Sequence, residues 1–318
     1  MQQRHIGATG LRVSRLGLGT MTWGRDTSEG DAAAQFAAFA DAGGTLIDTA
    51  DRYADGDAEL IIGRLLREVV PRTDVVLATK CSVAAGAGDG ADGSRRRLLA
   101  ALDASLARLG VDHVDLWQVD AWDPHTPLDE TLSAVDDAVS TGRARYAGVS
   151  NYTGWQLAAA ATWQRAWPGR APICAVQVEY SLLARGVERE LIPAAADRGV
   201  GVLCWSPLGR GVLTGKYRTG IPADSRAAAP HFSGFVRPYL DERCRAIVEA
   251  VSTAAEGLGV SPLAVALSWV RDRPGVTSAI VGARTTGQLM GILQAEDVTL
   301  PSEISNALDD VSASAAGL

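Results

Sequence analysis

Residues 45–80 read TLIDTADRYADGDAELIIGRLLREVVPRTDVVLATK, and the fold assignment starts from this pattern. A short apolar run ends at Asp48, Tyr53 follows five residues later, an amphipathic segment comes next, and a second apolar run ends at Lys80. The pattern predicts a strand, a loop, a helix and a second strand. Because neighbouring parallel strands end on the same side of a sheet, we expect Asp48, Tyr53 and Lys80 to converge there.

A buried lysine beside a tyrosine is one way to build a proton donor. The ammonium of Lys80 would stabilise the phenolate of Tyr53 and lower the pKa of Tyr53. The carboxylate of Asp48 would offset the cost of burying that ammonium. The same residues also fit a simpler interpretation, a phenol at a strand end beside an ion pair in the core. These residues alone leave both interpretations open.

Strand-like runs alternate with helical runs along the rest of the chain. The strand candidates are residues 16–18, 45–47, 75–79, 114–119, 146–149, 173–178, 201–205 and 278–281. Their ends recur about every 30 residues, apart from one longer interval before the last strand. Eight such units predict an α/β fold, a (β/α)8 TIM barrel, that spans residues 1–318 as a single domain. Residues 4–6 and 11–13 predict a short N-terminal β-hairpin that caps one end of the barrel.

Capping residues support the helices between these strands. Ser94 precedes a run of leucines at helical spacing, and Gly110 follows that run. Ser261 precedes Pro262, which suits the first turn of another helix. The intervening segments are therefore predicted to be amphipathic helices with defined starts and stops.

The composition restricts the class of protein. The chain has 318 residues, of which 47% are hydrophobic, and its formal net charge is −7. This balance predicts a globular protein and argues against nucleic acid as a partner. Apolar runs fall short of the roughly 18 residues of a membrane span, so we expect a soluble, cytoplasmic protein without a membrane partner. The cysteine spacing predicts reduced thiols and no metal site, and the oligomeric state stays unknown.

Polar and aromatic residues at the predicted strand ends suggest a binding site, because active sites of such barrels lie at that face. The set lacks the nucleophile–histidine pair or the spaced carboxylates of a hydrolase. Ser150, Asn151 and Gln177 offer groups that could hold a carboxamide, and Trp205 offers a face for a flat ring. A nicotinamide ring requires both features.

Glycines and cations further along the chain suggest where phosphates would bind. Residues 209–211 read GRG, and Lys216 and Arg226 follow them. Backbone N–H groups and cations of this kind bind a pyrophosphate, so the combined set predicts a dinucleotide. Residues 88–93 also match GxGxxG, a dinucleotide fingerprint, but the preceding strand ends too early, at Lys80, so a loop is the favoured interpretation.

The chain resembles the aldo-keto reductases through seven ordered motifs. They are LGLGT (16–20), IDTADRY (47–53), ATK (78–80), GVSNY (148–152), QVEYSLL (177–183), WSPLGRGVLTGKY (205–217) and IVGARTTGQL (280–289). The resemblance implies an enzyme that reduces carbonyl compounds, aldehydes or ketones, to alcohols with NADPH. Tyr53 would be the proton donor, Lys80 would lower its pKa, and Asp48 would pair with Lys80. The resemblance makes Asp120 the fourth catalytic position.

The same resemblance implies a cofactor-binding set. Its members are Gly19, Thr20, Ser150, Asn151, Gln177, Trp205, Ser206, Leu208, Gly211, Lys216, Arg226, Gly282, Arg284 and Gln288. Arg284 would meet the 2′-phosphate and favour NADPH over NADH. Trp23 and Trp122 fall in loops after strands, and an apolar substrate pocket is the favoured interpretation for both, with a cover over the barrel mouth as the alternative.

Asp120 departs from the family pattern, which usually has a histidine that donates a hydrogen bond to the substrate carbonyl. Three interpretations are open. Asp120 is protonated and serves as a donor, as in family members that reduce C=C bonds; or it is ionised and pairs with Lys80, as in an impaired or channel-associated regulatory member; or the change is benign. His125 is a further candidate for the missing imidazole, against the simpler interpretation of a solvated loop histidine.

Overall fold

The computed structural model describes residues 1–83 and 91–313, and a barrel of eight parallel strands closes within them. The strands of the chain are β1 (Gln3–His5), β2 (Arg12–Ser14), β3 (Leu16–Gly19), β4 (Leu46–Asp48), β5 (Val76–Cys81), β6 (Val114–Val119), β7 (Ala144–Ser150), β8 (Ile173–Glu179), β9 (Gly201–Trp205) and β10 (Val276–Val281). The barrel runs in sequence order from β3 to β10, and β10 pairs with β3 to close it. The predicted (β/α)8 barrel is confirmed.

Helices connect the strands of the barrel or follow its last strand. They are α1 (Glu29–Asp41), α2 (Asp57–Glu68), α3 (Arg95–Leu109), α4 (Leu128–Ser140), α5 (Gly154–Arg165), α6 (Leu191–Arg198), α7 (Pro230–Val236), α8 (Glu242–Leu258), α9 (Pro262–Arg271), α10 (Thr286–Gln294) and α11 (Ser302–Ser312). The predicted caps are present: the Ser94 and Ser261 hydroxyls accept backbone hydrogen bonds, and Gly110 ends α3 in the left-handed conformation. The GxGxxG match at residues 88–93 lies partly outside the described residues.

None of the described helices is, on its own, both long and apolar enough to cross a membrane. Only α8 and α9 together reach that length and composition, and they are bent by 103°.

The N-terminal hairpin, β1 and β2, closes the amino-terminal end of the barrel. Its two strands pair antiparallel, with Arg4 opposite Val13. Ile6 and Val13 are fully buried and join a cluster of side chains inside the barrel. Gly7 lies in the left-handed region, and a Cβ there would stand 2.4 Å from the Gly199 carbonyl oxygen, so only glycine fits this contact. The predicted cap is confirmed.

Alternation along the strands places a polar layer above an apolar one inside the barrel. Successive side chains of a strand point to opposite faces, so residues two apart share a face. Leu46 and Ala78 belong to the apolar cluster, whereas Asp48 and Lys80, two residues further along β4 and β5, line the cleft above it. The ionisable groups therefore sit on a rigid hydrophobic base at the carboxyl end of the barrel.

Candidate active site

A cleft opens at the carboxyl ends of the barrel strands. It brings together the four predicted catalytic residues, Asp48, Tyr53, Lys80 and Asp120. Much of the predicted cofactor set also lines it: Gly19, Ser150, Asn151, Gln177, Trp205, Ser206, Leu208, Gly211, Arg226 and Gly282. The structure adds residues that the sequence did not single out for this site: Met21, Thr22, Arg52, Pro207, Phe235, Ile280 and Val281.

Lys80 and Asp48 form a buried ion pair at the floor of the cleft. The Lys80 Nζ atom lies 2.9 Å and 2.8 Å from the two Asp48 carboxylate oxygens and donates to the Thr49 carbonyl oxygen at 2.8 Å. Gln177 donates from Nε2 to Asp48 Oδ1 at 2.7 Å. Burial opposes the charged ammonium, but Asp48, helped by Tyr53 and Asp120, raises the pKa of Lys80 above its ordinary value. Lys80 is therefore a fixed cation.

Tyr53 lies against this cation. Lys80 Nζ is 5.2 Å from the centre of the Tyr53 ring. Burial raises the pKa of Tyr53, and Lys80 opposes that change, while Asp48 and Asp120 add to it. Lys80 thus lowers the pKa of Tyr53 as predicted, but burial outweighs this contribution, so the pKa lies above its ordinary value. The phenol stays protonated, the form that a proton donor requires.

Asp120 pairs with Arg52, a partner that the sequence analysis missed. The Asp120 Oδ2 atom lies 3.1 Å from Arg52 Nη2. The Asp120 side chain is 8% exposed and that of Arg52 is 56% exposed, so the pair extends from the cleft wall towards solvent. The interpretation in which Asp120 pairs with Lys80 is wrong, because Lys80 is held by Asp48 and Thr49.

His125 does not supply an imidazole to the cleft. Its side chain is exposed, and its backbone N–H donates to Asp123 Oδ1 at 2.8 Å. His125 is not among the residues that line the cleft, which agrees with the interpretation of a loop histidine.

Trp205 and Asn151 form one wall of the cleft. The indole Nε1 donates to Asn151 Oδ1 at 3.0 Å, and Asn151 Nδ2 donates to the Asp120 carbonyl oxygen at 2.9 Å. Asn151 has a φ of 57°, which is uncommon for a residue other than glycine. In this conformation its side chain lies between Trp205 and the Asp120 carbonyl. The Phe235 ring lies nearly parallel to Trp205, with 6.4 Å between the ring centres. The wall therefore offers an oriented indole face beside fixed amide groups.

Arg210 also lines the cleft, but its charge is already balanced. Its guanidinium forms a two-point ion pair with Glu179 and packs 3.8 Å from the centre of the Phe235 ring. Arg210 is therefore not a free cation for a pyrophosphate. Of the predicted phosphate-binding groups at residues 209–211, the backbone N–H groups remain.

Lys216, Arg226 and Arg284 form a cation cluster, of which Arg226 lines the cleft. Burial lowers the pKa of Lys216, and Arg226 and Arg284 lower it further by repulsion. Burial likewise lowers the pKa of Arg226, with Arg284 the next cause. Among the residues that the structure describes, none of the three forms an ion pair with a carboxylate. Asp224 and Asp26 only partly offset this repulsion, and three crowded cations that form no ion pair in the described part of the chain fit an anionic ligand such as nucleotide phosphates.

The remaining predicted cofactor residues lie close to these groups without lining the cleft. The Thr20 hydroxyl donates to the Asp48 carbonyl oxygen at 3.1 Å. The Gln288 side-chain oxygen accepts from the Arg284 backbone N–H at 3.0 Å. Thr20 therefore supports the strand end that carries Asp48, and Gln288 orients the loop that carries Arg284.

The two predicted pocket tryptophans do not line the cleft. Trp23 is fully buried, donates from Nε1 to Gln35 at 3.3 Å and packs edge-on against Phe36, so it is a core residue and its assignment to the substrate pocket is wrong. Trp122 packs edge-on against Tyr152 and Trp155, which do not line the cleft either.

Comparisons with known proteins agree with this geometry. The model of the Aldo/keto reductase family matches residues 15–313. The chain is 38% identical to an uncharacterized oxidoreductase, YrpG, of Bacillus subtilis over 98% of this chain and 96% of that protein. It is 36% identical to a probable voltage-gated potassium channel subunit beta of Oryza sativa, with the same coverage. It is also 36% identical to the L-glyceraldehyde 3-phosphate reductase of Escherichia coli K12, over 93% of this chain and 87% of that enzyme.

Proposed function

Since this chain belongs to the aldo/keto reductase family, we propose that it reduces aldehydes or ketones to alcohols with NADPH, with Tyr53 as the proton donor. The observation that carries the proposal is the buried Lys80–Asp48 pair beside a protonated Tyr53 in a single cleft. Arg226 lines the same cleft, and it forms with Lys216 and Arg284 a cluster of cations that suits an anionic dinucleotide.

The chain's own residues divide the proposed reaction between them. Tyr53 donates its hydroxyl proton to the carbonyl oxygen as negative charge develops there. The Lys80 ammonium, held by Asp48 and Thr49, stabilises the phenolate that remains. Bound NADPH supplies the hydride for the carbonyl carbon. The low exposure of Lys80 and Asp48 keeps water from weakening these charges.

The residues that would hold the cofactor fit its two ends. Trp205 would face the nicotinamide, and Ser150, Asn151 and Gln177 would bind its carboxamide through the hydrogen-bonding capacity left by their protein contacts. The cation cluster would bind the phosphates. Arg284 and its neighbours favour NADPH over NADH, because NADPH carries an additional phosphate.

The test is steady-state oxidation of NADPH with an activated aromatic aldehyde such as para-nitrobenzaldehyde. We expect aldehyde-dependent oxidation that matches the alcohol formed, and little oxidation without aldehyde. Absence of turnover across aldehydes and ketones would contradict the proposal. Saturation of an enone with no carbonyl reduction would identify C=C reduction instead. The ion pair between Asp120 and Arg52 argues against that outcome, because an ionised carboxylate has no proton to donate to the substrate.

A second candidate is a regulatory NADPH-binding protein with very low turnover. The 36% identity to a protein named as a probable potassium channel subunit beta favours it. Tight NADPH binding measured by fluorescence, without consumption of the cofactor, is the expected result for this candidate. Rapid aldehyde-dependent oxidation excludes it.

A further inference from the structure

The substrate end of the cleft is electrically balanced. The ion pairs Lys80–Asp48 and Arg52–Asp120 occupy it, and Arg210, which also lines the cleft, is paired with Glu179. Arg226, which lines the same cleft, and its neighbours Lys216 and Arg284 form no ion pair among the described residues. A phosphate or carboxylate of a substrate that lies against Arg52 and Lys80 would therefore meet cations that are already paired.

Asp120 lies immediately beside the catalytic strand end. It follows β6, and its backbone N–H donates to the carbonyl oxygen of Cys81, the residue after Lys80, at 3.0 Å. Asp120 is also close enough to raise the pKa of both Tyr53 and Lys80. Its carboxylate therefore stands next to the position where Tyr53 meets the substrate.

The Asp120 carboxylate has capacity to accept another hydrogen bond. Within the described part of the chain, its side chain pairs with Arg52 alone, through Oδ2. A carboxylate accepts hydrogen bonds and does not donate them, so it repels a bare carbonyl oxygen and attracts a hydroxyl. Arg52, which is more than half exposed at the mouth, adds donors for a second oxygen of the same molecule.

We propose that the Arg52–Asp120 pair selects neutral carbonyl substrates that carry a hydroxyl on the carbon beside the carbonyl, that is, α-hydroxy ketones and α-hydroxy aldehydes, including small sugars. The proposal rests on the proposed function, since it specifies the substrate of that same site. Asp120 accepts the hydrogen bond of the neighbouring hydroxyl, which turns the carbonyl oxygen towards Tyr53. Arg52 holds the carboxylate in place.

The test compares two ketones of nearly equal shape, hydroxyacetone and butanone, in which a hydroxyl replaces a methyl group. We expect the native protein to have the higher kcat/KM for hydroxyacetone. In Asp120→Leu, the ratio of the two kcat/KM values should fall roughly 10- to 100-fold, the effect of losing a hydrogen bond to a charged group. A ratio is used because any general loss of turnover cancels. Asp103→Leu, which removes an exposed carboxylate paired with Arg143, is the control and should leave the ratio unchanged.

Binding measured without turnover keeps the inference separate from the proposed function. Saturation-transfer NMR on the protein without added nucleotide should show contact with hydroxyacetone that Asp120→Leu removes. If the protein reduces aromatic aldehydes but treats the two ketones alike, the inference is overturned and the proposed function stands. If it reduces nothing, the proposed function fails and the NMR comparison alone decides the inference.

Two further measurements cover the misfolding of Asp120→Leu and the binding of phosphorylated substrates. The double variant Arg52→Leu/Asp120→Leu removes both charges at once, so it supports the inference by the same fall in ratio even if Asp120→Leu alone fails to fold. A higher kcat/KM for dihydroxyacetone phosphate than for dihydroxyacetone would overturn the inference, because it would require an anion site at the balanced end.

Discussion

Replacing Asp48 by asparagine removes the counter-charge of a buried lysine while keeping the side-chain shape. The Asp48 and Lys80 side chains are only 3% and 2% exposed, and Lys80 Nζ contacts both carboxylate oxygens. In Asp48→Asn the ammonium keeps the Thr49 carbonyl and at most one amide oxygen. Breaking a buried pair in this way costs about 3–5 kcal/mol, which corresponds to a fall in Tm of roughly 4–8 °C for a chain of this size.

The pH dependence of that loss is the more specific part of the prediction. In the native protein the folded pKa of Lys80 is raised, so its contribution is complete below the ordinary lysine pKa of 10.5 and is lost only as the pH rises through the higher folded value. In Asp48→Asn the negative charge of Asp48 no longer opposes the effect of burial, so burial lowers the pKa of Lys80. The variant should therefore recover stability as the pH rises towards the ordinary pKa, whereas the native protein should not.

The assay is thermal unfolding of both proteins, followed by circular dichroism at about pH 7 and about pH 9.5. The difference in Tm should be large at neutral pH and shrink at alkaline pH. Asp103→Asn is the matched control: Asp103 is 60% exposed and pairs with Arg143 at 2.6 Å, so its loss should change Tm by less than about 2 °C. A small or pH-independent difference for Asp48→Asn would refute the reasoning.

Three other substitutions test separate parts of the account. Arg284→Gln should raise KM for NADPH about tenfold and leave KM for NADH nearly unchanged, because only NADPH carries the additional phosphate; steady-state kinetics with each cofactor measures this. Gly7→Ala should destabilise the protein by more than about 1 kcal/mol in urea unfolding, because the new Cβ would clash with the Gly199 carbonyl at a left-handed position. Asp120→His should raise kcat/KM for para-nitrobenzaldehyde roughly fivefold. An imidazole can donate a hydrogen bond to the carbonyl oxygen, whereas this aldehyde has no hydroxyl group from which Asp120 could accept one. An unchanged or lower kcat/KM would count against an acceptor role for Asp120.

The barrel and its ionisable floor could be predicted from the sequence because both follow from short-range patterns. Apolar runs about 30 residues apart define the strands, and a polar residue at the end of each run marks the carboxyl face. Asp48 and Lys80 meet because their strands are neighbours in sequence and in the sheet. The contact thus follows from parallel pairing alone.

The parts that could not be predicted depend on loop paths and on distant partners. The loop that carries Arg52 turns at Ala54 and Asp55, two non-glycine residues with positive φ. No residue pattern indicates this turn, so the contact of Arg52 with Asp120 could not be predicted. Trp23 turns into the core because its loop folds back, with the Trp23 N–H donating to the Thr20 carbonyl oxygen. Whether the pKa of Tyr53 lies above or below its ordinary value depends on how deeply the ring is buried, and only the packed structure gives that depth.

The most direct test of the account is a comparison of Tyr53→Phe with the native protein in NADPH oxidation by para-nitrobenzaldehyde, together with the Kd for NADPH. Phenylalanine keeps the ring and removes the proton. The account predicts that kcat falls at least about 100-fold while the Kd for NADPH is nearly unchanged, because Tyr53 acts on the substrate carbonyl rather than on cofactor binding. Native-like turnover in Tyr53→Phe would contradict the central claim that Tyr53 is the proton donor.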